Sequence, residues 1–433
     1  MATIEIRNIG PIEDTGKFDL NTVNVFMGPQ SSGKSTIAKI ISFCTWVEKD
    51  VATNQSLKKY RDNETLLKDH IEVFHKIKGY FRADSFFSYK SDIVEIKWEN
   101  EKGSLNWVDQ YAYKRSKISY IPAERNMVIL PEARKVTFEE TNVRSFLFDW
   151  FDARKKYTQD EKLSILDLEV DYYYSEGNDE DHIVGTSKNV EYDILLSNAS
   201  SGLQSITPLV LMIDYLTFWI YKEDKTSFEQ EEKKRKVDYL LTIEKIIKPY
   251  FGKEPLNTTE ANELLNKFND KLKENDLKAH KLSKELNRLR DSLFTTKNVQ
   301  YIIEEPEQNL FPETQRNLIY SLLEKGLNRE GNRLTITTHS PYVLYALNNC
   351  MMGGLVNSQI TNEDKKDEFL GNEFLSEKSW INPQSVSIWE IEDGKIRNIQ
   401  DKDNIISENY FDKKMTELTD EYYQILNYYR DEE

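Results

Sequence analysis

Near the start of the chain, apolar residues alternate with polar ones, then switch to a spacing of three and four. Ile4, Ile6 and Ile9 precede the turn Gly10-Pro11, Phe18 and Leu20 follow it, and Val23–Met27 is a largely apolar run. A period of two predicts strands, with Asn21-Thr22 as a turn between two edge strands. Nine residues later the period is helical over 37–43 and continues through Trp46 and Val47. A second helical stretch is predicted over about 56–81, from Leu57, Leu66, Leu67, Ile71, Phe74, Ile77 and Phe81. Strand patterns return at 93–98, 105–108 and 118–121 and end at Pro122-Ala-Glu-Arg125.

Residues 139–163 read as a helix whose stripe of Val143, Phe146, Leu147, Trp150 and Phe151 suits core packing. Residues 165–174 and 190–196 read as a hairpin joined by the polar loop 175–189. That loop carries Glu176, Asp179, Glu180 and Asp181 but lacks the ligand order and glycine of a calcium loop, so a solvated tip is expected. A strongly apolar helix is predicted over 206–221, then a charged segment at 222–236 and more helix to Ile247. One long helix is expected over about 259–293. Leu265, Phe268, Leu272, Asn275, Ala279, Leu282, Leu286, Leu289 and Leu293 form a short heptad seam on it. Strands at 299–303 and 333–337 are each followed by a helix. The tail has a hairpin, 386–391 with 396–399, turned at Asp393-Gly394, and a tyrosine-rich helix at 415–429. Strands and helices along one chain predict an α/β fold.

The chain has 433 residues, a net charge of -16 and a pI near 5.1. That acidity argues against a duplex-DNA binder and suits a basic protein partner. The basic run Lys233-Lys-Arg-Lys236 stands beside Glu229 and Glu231-Glu232, so it reads as a solvated helix face. No stretch is apolar for the roughly 18 residues that a membrane span needs, and the first residues enter a strand pattern with no signal peptide. Cys44 and Cys350 are the only cysteines and have neither zinc nor disulfide spacing. A cytoplasmic protein is expected.

The chemistry centres on Gly28-Pro29-Gln30-Ser31-Ser32-Gly33-Lys34-Ser35-Thr36, of the form G-x-x-x-x-G-K-[ST] between a strand and a helix. Its glycines let backbone N–H groups curl around a phosphate chain. Lys34 supplies charge to the β- and γ-phosphates, and the Ser35 hydroxyl is placed for Mg²⁺. A nucleotide's phosphate chain and Mg²⁺ are therefore the expected ligands. Three later stretches complete this site. Glu304 and Glu305 end a strand, where one carboxylate can hold the metal opposite Ser35 and the next can polarise water. His339 ends another strand and can bond the γ-phosphate. Ser200, Ser201 and Gly202, with Gln204 beyond, open an apolar helix and form a second anion site. Alone, each has a plainer reading: a solvated strand end, a capping histidine, a helix N-cap. Their order is the signal.

That order resembles the ABC-type ATPases of the SMC and OLD (overcoming lysogenization defect) superfamily, over most of the chain. Glu304-Glu-Pro-Glu-Gln-Asn-Leu-Phe-Pro, Thr337-Thr-His-Ser-Pro and Tyr120-Ile-Pro-Ala-Glu-Arg carry the likeness. The resemblance implies an ABC-type P-loop head, a mixed sheet flanked by helices with a β-subdomain, spanning 1–221 and 298–433, with helical and β insertions at about 44–196. Residues 222–297 would be a helical hairpin or short coiled-coil insertion. It also implies a Walker A loop at 28–36, Glu304 as the Walker B acid, and Glu305 and His339 as catalytic residues. Ser200, Ser201, Gly202 and Gln204 would be the signature loop, acting in trans on a second head. ATP would then be sandwiched in a homodimer or larger homo-oligomer. Three departures stand out. The Walker B acid is Glu rather than Asp, the signature lacks a double glycine, and Glu124 or Arg125 stands where a Q-loop glutamine is usual. Slow hydrolysis fits them.

Compact heads with this wording resemble the ATPase subunits of the PARIS and Septu anti-phage systems. Those subunits scaffold a separate effector nuclease, of TOPRIM or HNH type, until a phage-encoded trigger is sensed. No nuclease is expected on this chain. The nearest TOPRIM candidate, Asp401-Lys-Asp403, follows a half-polar hairpin strand, and no HNH pattern is present. The competing expectations are an SMC-like ATPase acting on DNA in repair, or an OLD-like nuclease ATPase.

Overall fold

The computed structural model describes residues 2–130, 141–187, 191–222 and 228–430. Its frame is a mixed sheet of eleven strands among these residues. In chain order they begin with β1 (Ala2–Ile9), β2 (Ile12–Leu20), β3 (Val23–Met27), β4 (Phe81–Lys90), β5 (Val94–Glu99), β6 (Lys102–Trp107) and β7 (Ser116–Ile121). A separate small sheet holds β8 (Leu163–Ser164), β9 (Val170–Ser175), β10 (Glu180–Gly185) and β11 (Asp193–Leu195). The large sheet resumes with β12 (Asn298–Glu304), β13 (Arg333–Thr338), β14 (Val386–Glu392) and β15 (Lys395–Asn398). Its spatial order is β6-β5-β4-β1-β2-β15-β14-β3-β13-β12-β7.

One half of this sheet, β14-β3-β13-β12-β7, is parallel. The other half, from β6 to β2, is antiparallel. The difference follows burial. Every residue of β3 is buried, as a parallel strand covered on both faces requires, whereas β2 buries only some positions. Along β3, Phe26 faces the helix Lys34–Asn54, while Val23, Val25 and Met27 join the core beneath Ser201–Phe218, Pro312–Gly326 and Pro341–Gln359. The α/β expectation is met: a mixed sheet carries helices on both faces.

Several local expectations are corrected. Asn21-Thr22 does not join edge strands, because the β14–β15 hairpin lies between β2 and β3 and the edges are β6 and β7. Residues 56–81 form two short helices, Lys58–Arg61 and Leu66–Phe74, and Phe81 opens β4 instead. The helix expected over 139–163 is Asn142–Arg154, and 139–140 lie outside the described residues. The polar loop 175–189 contains a strand, β10, paired with both β9 and β11. Its tip, residues 176–179, is exposed, as expected of a solvated tip, while the strand beyond it is anchored. Arg154 bridges Asp179 at 2.6 Å and the buried Asp181 at 3.2 Å, and the Tyr172 hydroxyl donates to Asp181 at 2.6 Å.

The long helix over 259–293 is two, Thr258–Lys273 and Leu277–Phe294. Asn275 takes φ +60° between them, and Asp276 caps the second by accepting from the N–H groups of Lys278 and Ala279. The seam turns inward. Phe268, Ala279, Leu286 and Leu293 bury against the core of the Lys34–Asn54 helix. The Lys233–Lys236 run is exposed on the helix Phe228–Thr242, as expected of a solvated face. Among the described residues no helix is long and apolar enough to cross a membrane.

Candidate nucleotide site

Three adjacent parallel strands, β3, β13 and β12, end on the same side of the sheet and deliver the chemistry there. The loop after β3 turns sharply because of its glycines. Gly28 has φ +147° and Gly33 φ +108°, and a Cβ on either would meet Ile391 O at 2.5 Å or Ile12 Cδ1 at 2.4 Å. Gly33 then caps the helix Lys34–Asn54, and its carbonyl accepts from Ile37 N–H at 3.1 Å. Exposed N–H groups at such a helix start attract an anion. Lys34 folds back over the loop. Its Nζ donates to Gly28 O at 3.0 Å, Pro29 O at 2.6 Å and Ser32 Oγ at 3.4 Å. Burial pulls its pKa down to about 8, against the opposing charges of Glu305 and Glu307.

The carboxylates arrive from β12. Glu304 is the last strand residue and is buried, and burial raises its pKa. Lys39 and the nearby Tyr120 and Ser35 hydroxyls oppose that shift, while Glu124 adds to it. Its Oε1 is buried with no hydrogen-bond partner, and so is the Tyr120 hydroxyl. A buried, unpaired carboxylate oxygen beside a serine hydroxyl suits a hard cation, so Ser35 and Glu304 fit Mg²⁺. Among the described residues no cluster of three or more His, Cys, Asp or Glu could cage a metal. Mg²⁺ on nucleotide phosphates needs only one or two carboxylates.

Glu305 stands one residue on, with φ +43°, a region that non-glycine residues seldom enter. Its N–H donates to Thr337 O at 2.9 Å, and its Oε1 lies 3.2 Å from His339 Nε2. That contact with His339 is the main reason its pKa is held below the usual carboxylate range. Glu305, His339 and the loop from Gln30 to Thr36 line one cavity of about 460 Å³, with Gly10, Pro11 and Tyr80 at its wall. Residues Gln30 to Thr36, Glu305 and His339 are thus brought together, with Glu304 buried beside Ser35, while Gly28 and Pro29 do not line the cavity.

Ser200, Ser201, Gly202 and Gln204, expected as a signature loop, do not line that cavity. Ser200 and Ser201 are exposed, and Gly202 and Gln204 are half-buried. Ser200 Oγ caps the helix Ser201–Phe218 by accepting from Leu203 N–H at 3.4 Å. Gln204 Nε2 donates to Ser197 O at 2.8 Å and Ala199 O at 3.0 Å, so this amide braces its own loop. Glu124 is exposed. Arg125 is fully buried and donates to backbone carbonyls of Glu304, Glu305 and Pro306.

Two residues escaped sequence reasoning. The Glu307 carboxylate accepts from Thr338 Oγ1 at 2.9 Å and from His339 N–H at 2.6 Å, fixing the backbone that carries His339. Tyr80 sits at the cavity wall, and its carbonyl accepts from Gly10 N–H at 3.0 Å. The spacing Glu-Glu-x-Glu was a usable signal for the first; nothing local marked the second. Asp401, the start of the TOPRIM candidate, accepts from Asp403 and Ile405 N–H groups in its own turn.

The fold and site define a P-loop α/β protein. Residues 284–344, which include β12, Glu304, Glu305 and His339, match the family model of the AAA ATPase domain. No curated protein sequence matches. Among solved structures, the SMC head domain from Thermotoga maritima is similar at 11% identity and TM-score 0.34, covering 79% of this chain and 90% of that one. The recombination mediator protein RecF of the RecFOR pathway is similar at 9% identity and TM-score 0.27, covering 92% of this chain and 97% of that one.

Proposed function

We propose that this chain binds and slowly hydrolyses ATP, and that it does so as a head-to-tail pair. One observation carries this reading. Lys34, Ser35, Glu305 and His339 converge on one cavity, with Glu304 beside it, while Ser200, Ser201 and Gly202 open a helix of the same chain without lining that cavity. A helix start that does not serve its own chain's nucleotide is free to serve a second copy's.

The roles follow from the geometry. Lys34 exchanges its carbonyl partners for phosphate oxygens, and the loop's N–H groups hold the rest of the phosphate chain. Ser35 and Glu304 would hold Mg²⁺, which supplies charge neutralisation at the phosphates. Glu305 orients the attacking water, and His339 steadies the carboxylate and can bond the γ-phosphate. A carboxylate held below its ordinary pKa is a weak base, which supports slow turnover. The Tyr80 ring offers a surface for the base. In a chain with net charge -16, and with its helical hairpin folded inward, we read the oligomer as a scaffold and sensor of an anti-phage system. It would hold a separate effector nuclease, released by a phage-encoded trigger. The test is purification with a co-encoded nuclease, with and without ATP. A stable, ATP-dependent complex supports the scaffold; no complex in either state sinks it. DNA-stimulated hydrolysis falling steeply with salt would favour the repair reading instead.

A further inference from the structure

Arg125 lies in the turn Ala123–Ile129 after β7 and is 0% exposed. A guanidinium cannot stay there unless its N–H groups are satisfied. Nη1 donates to Glu304 O at 3.0 Å and Pro122 O at 3.4 Å. Nη2 donates to Glu305 O at 3.0 Å, Pro306 O at 3.3 Å and Ser205 Oγ at 3.2 Å, and Nε donates to Ser205 O at 3.1 Å. These acceptors are five carbonyls and one hydroxyl. The fork is spent on backbone, although Glu304, Glu305 and Glu307 stand around it.

Two consequences follow. The carbonyls held are those before, at and after the left-handed turn at Glu305. Ser205 belongs to the first turns of the helix whose N-terminus is the signature loop. The two segments also touch, because a Cβ on Gly202 would lie 3.1 Å from Asn309 O. A shift of the signature loop therefore reaches the Glu305 backbone through one side chain.

We infer that Arg125 is a positioning residue. It holds Glu305 in its left-handed conformation and ties that conformation to the helix that a second head would engage. This rests on the reading of Glu305 as the catalytic carboxylate.

The test separates turnover from binding in the full chain, using a fluorescent ATP analogue for binding, thermal melting for folding and phosphate release for rate. Arg125→Lys keeps the charge and loses the fork. Arg125→Ala leaves a cavity that guanidinium ion can enter. Both should bind nucleotide within about threefold of the native chain while kcat falls about 100-fold at unchanged KM. Millimolar guanidinium should restore kcat about tenfold in Arg125→Ala and leave Lys34→Ala silent. Where Arg125→Ala does not fold, Ser205→Ala decides. It removes one bond, and kcat should fall about threefold at unchanged Kd. Native kcat in folded Arg125→Lys and Ser205→Ala overturns the inference. So does a loss of binding equal to the loss of rate. A native chain that does not hydrolyse ATP sinks the reading of the cavity; native turnover indifferent to Arg125 and Ser205 sinks this inference alone.

Discussion

The cavity around Lys34 and the loop around Ser201 are both helix N-termini, yet they are built in opposite ways. The first is a pocket built from several segments. Lys34 and Glu304 are buried, Glu305 and His339 are in contact, and both loop glycines are pressed against Ile391 and Ile12. The second is open. Ser200 and Ser201 face solvent, and Gln204 is turned back on its own loop. A pocket lined from several segments of one chain is prepared for a ligand that arrives in solution. An open helix start whose own polar side chains are already engaged offers backbone N–H groups to a surface. The contrast supports the proposed reading, in which the chain carries one nucleotide site and one half of another's.

Breaking the pocket should give the largest effect. Lys34→Ala removes the cation and should weaken ATP binding at least about 100-fold, as read by titration with a fluorescent analogue. Binding within threefold of native would remove the basis for the site. Glu305→Gln keeps the cavity's shape and deletes the base. Turnover should fall on the order of 100-fold with binding retained, and the protein should run as a dimer with ATP in light scattering. Normal hydrolysis there would assign catalysis elsewhere. Ser201→Arg attacks only the open side. It should leave ATP binding intact, cut turnover roughly tenfold and abolish the ATP-dependent dimer. An unchanged dimer would mean that this loop is not an interface.

How much of this was legible beforehand depended on range. The P-loop was legible because its spacing and the change of period around it are local. The order of Glu304, Glu305 and His339 was legible because each ends an apolar strand. What lay beyond reach was the pairing of distant segments. Nothing near Asn21 says that residues 386–398 will lie between β2 and β3. Strand β10 hid because the charge at its buried Asp181 is met by Arg154, 27 residues upstream. The heptad from Leu265 to Leu293 concealed a break, since Asn275 fits a polar seam position as well as a left-handed turn. Arg125 was visible as a residue but not as a strut, because all but one of its acceptors are carbonyls, which no side-chain pattern records. Glu307 was similar: its role depends on β13 lying beside β12.

The smallest expected effect is also the one that separates the cavity's two needs. Burial lowers the Lys34 pKa to about 8 from an ordinary 10.5. The unfolded chain therefore holds this proton up to higher pH than the folded one. Between about 8 and 10.5 the group's contribution to folding stability rises with pH. Nucleotide binding needs the charged form, so above about pH 8 affinity should fall, by up to about tenfold per pH unit. The open loop around Ser201 has no such group, and dimerisation at saturating nucleotide should not follow this curve. Measured side by side from pH 7 to 9, the ligand-free melting curve and the ATP titration should carry Lys34 contributions of opposite sign. Both contributions should vanish in Lys34→Met. An ATP affinity that is flat across this range would mean that the lysine stays charged and that Glu305 and Glu307 outweigh its burial.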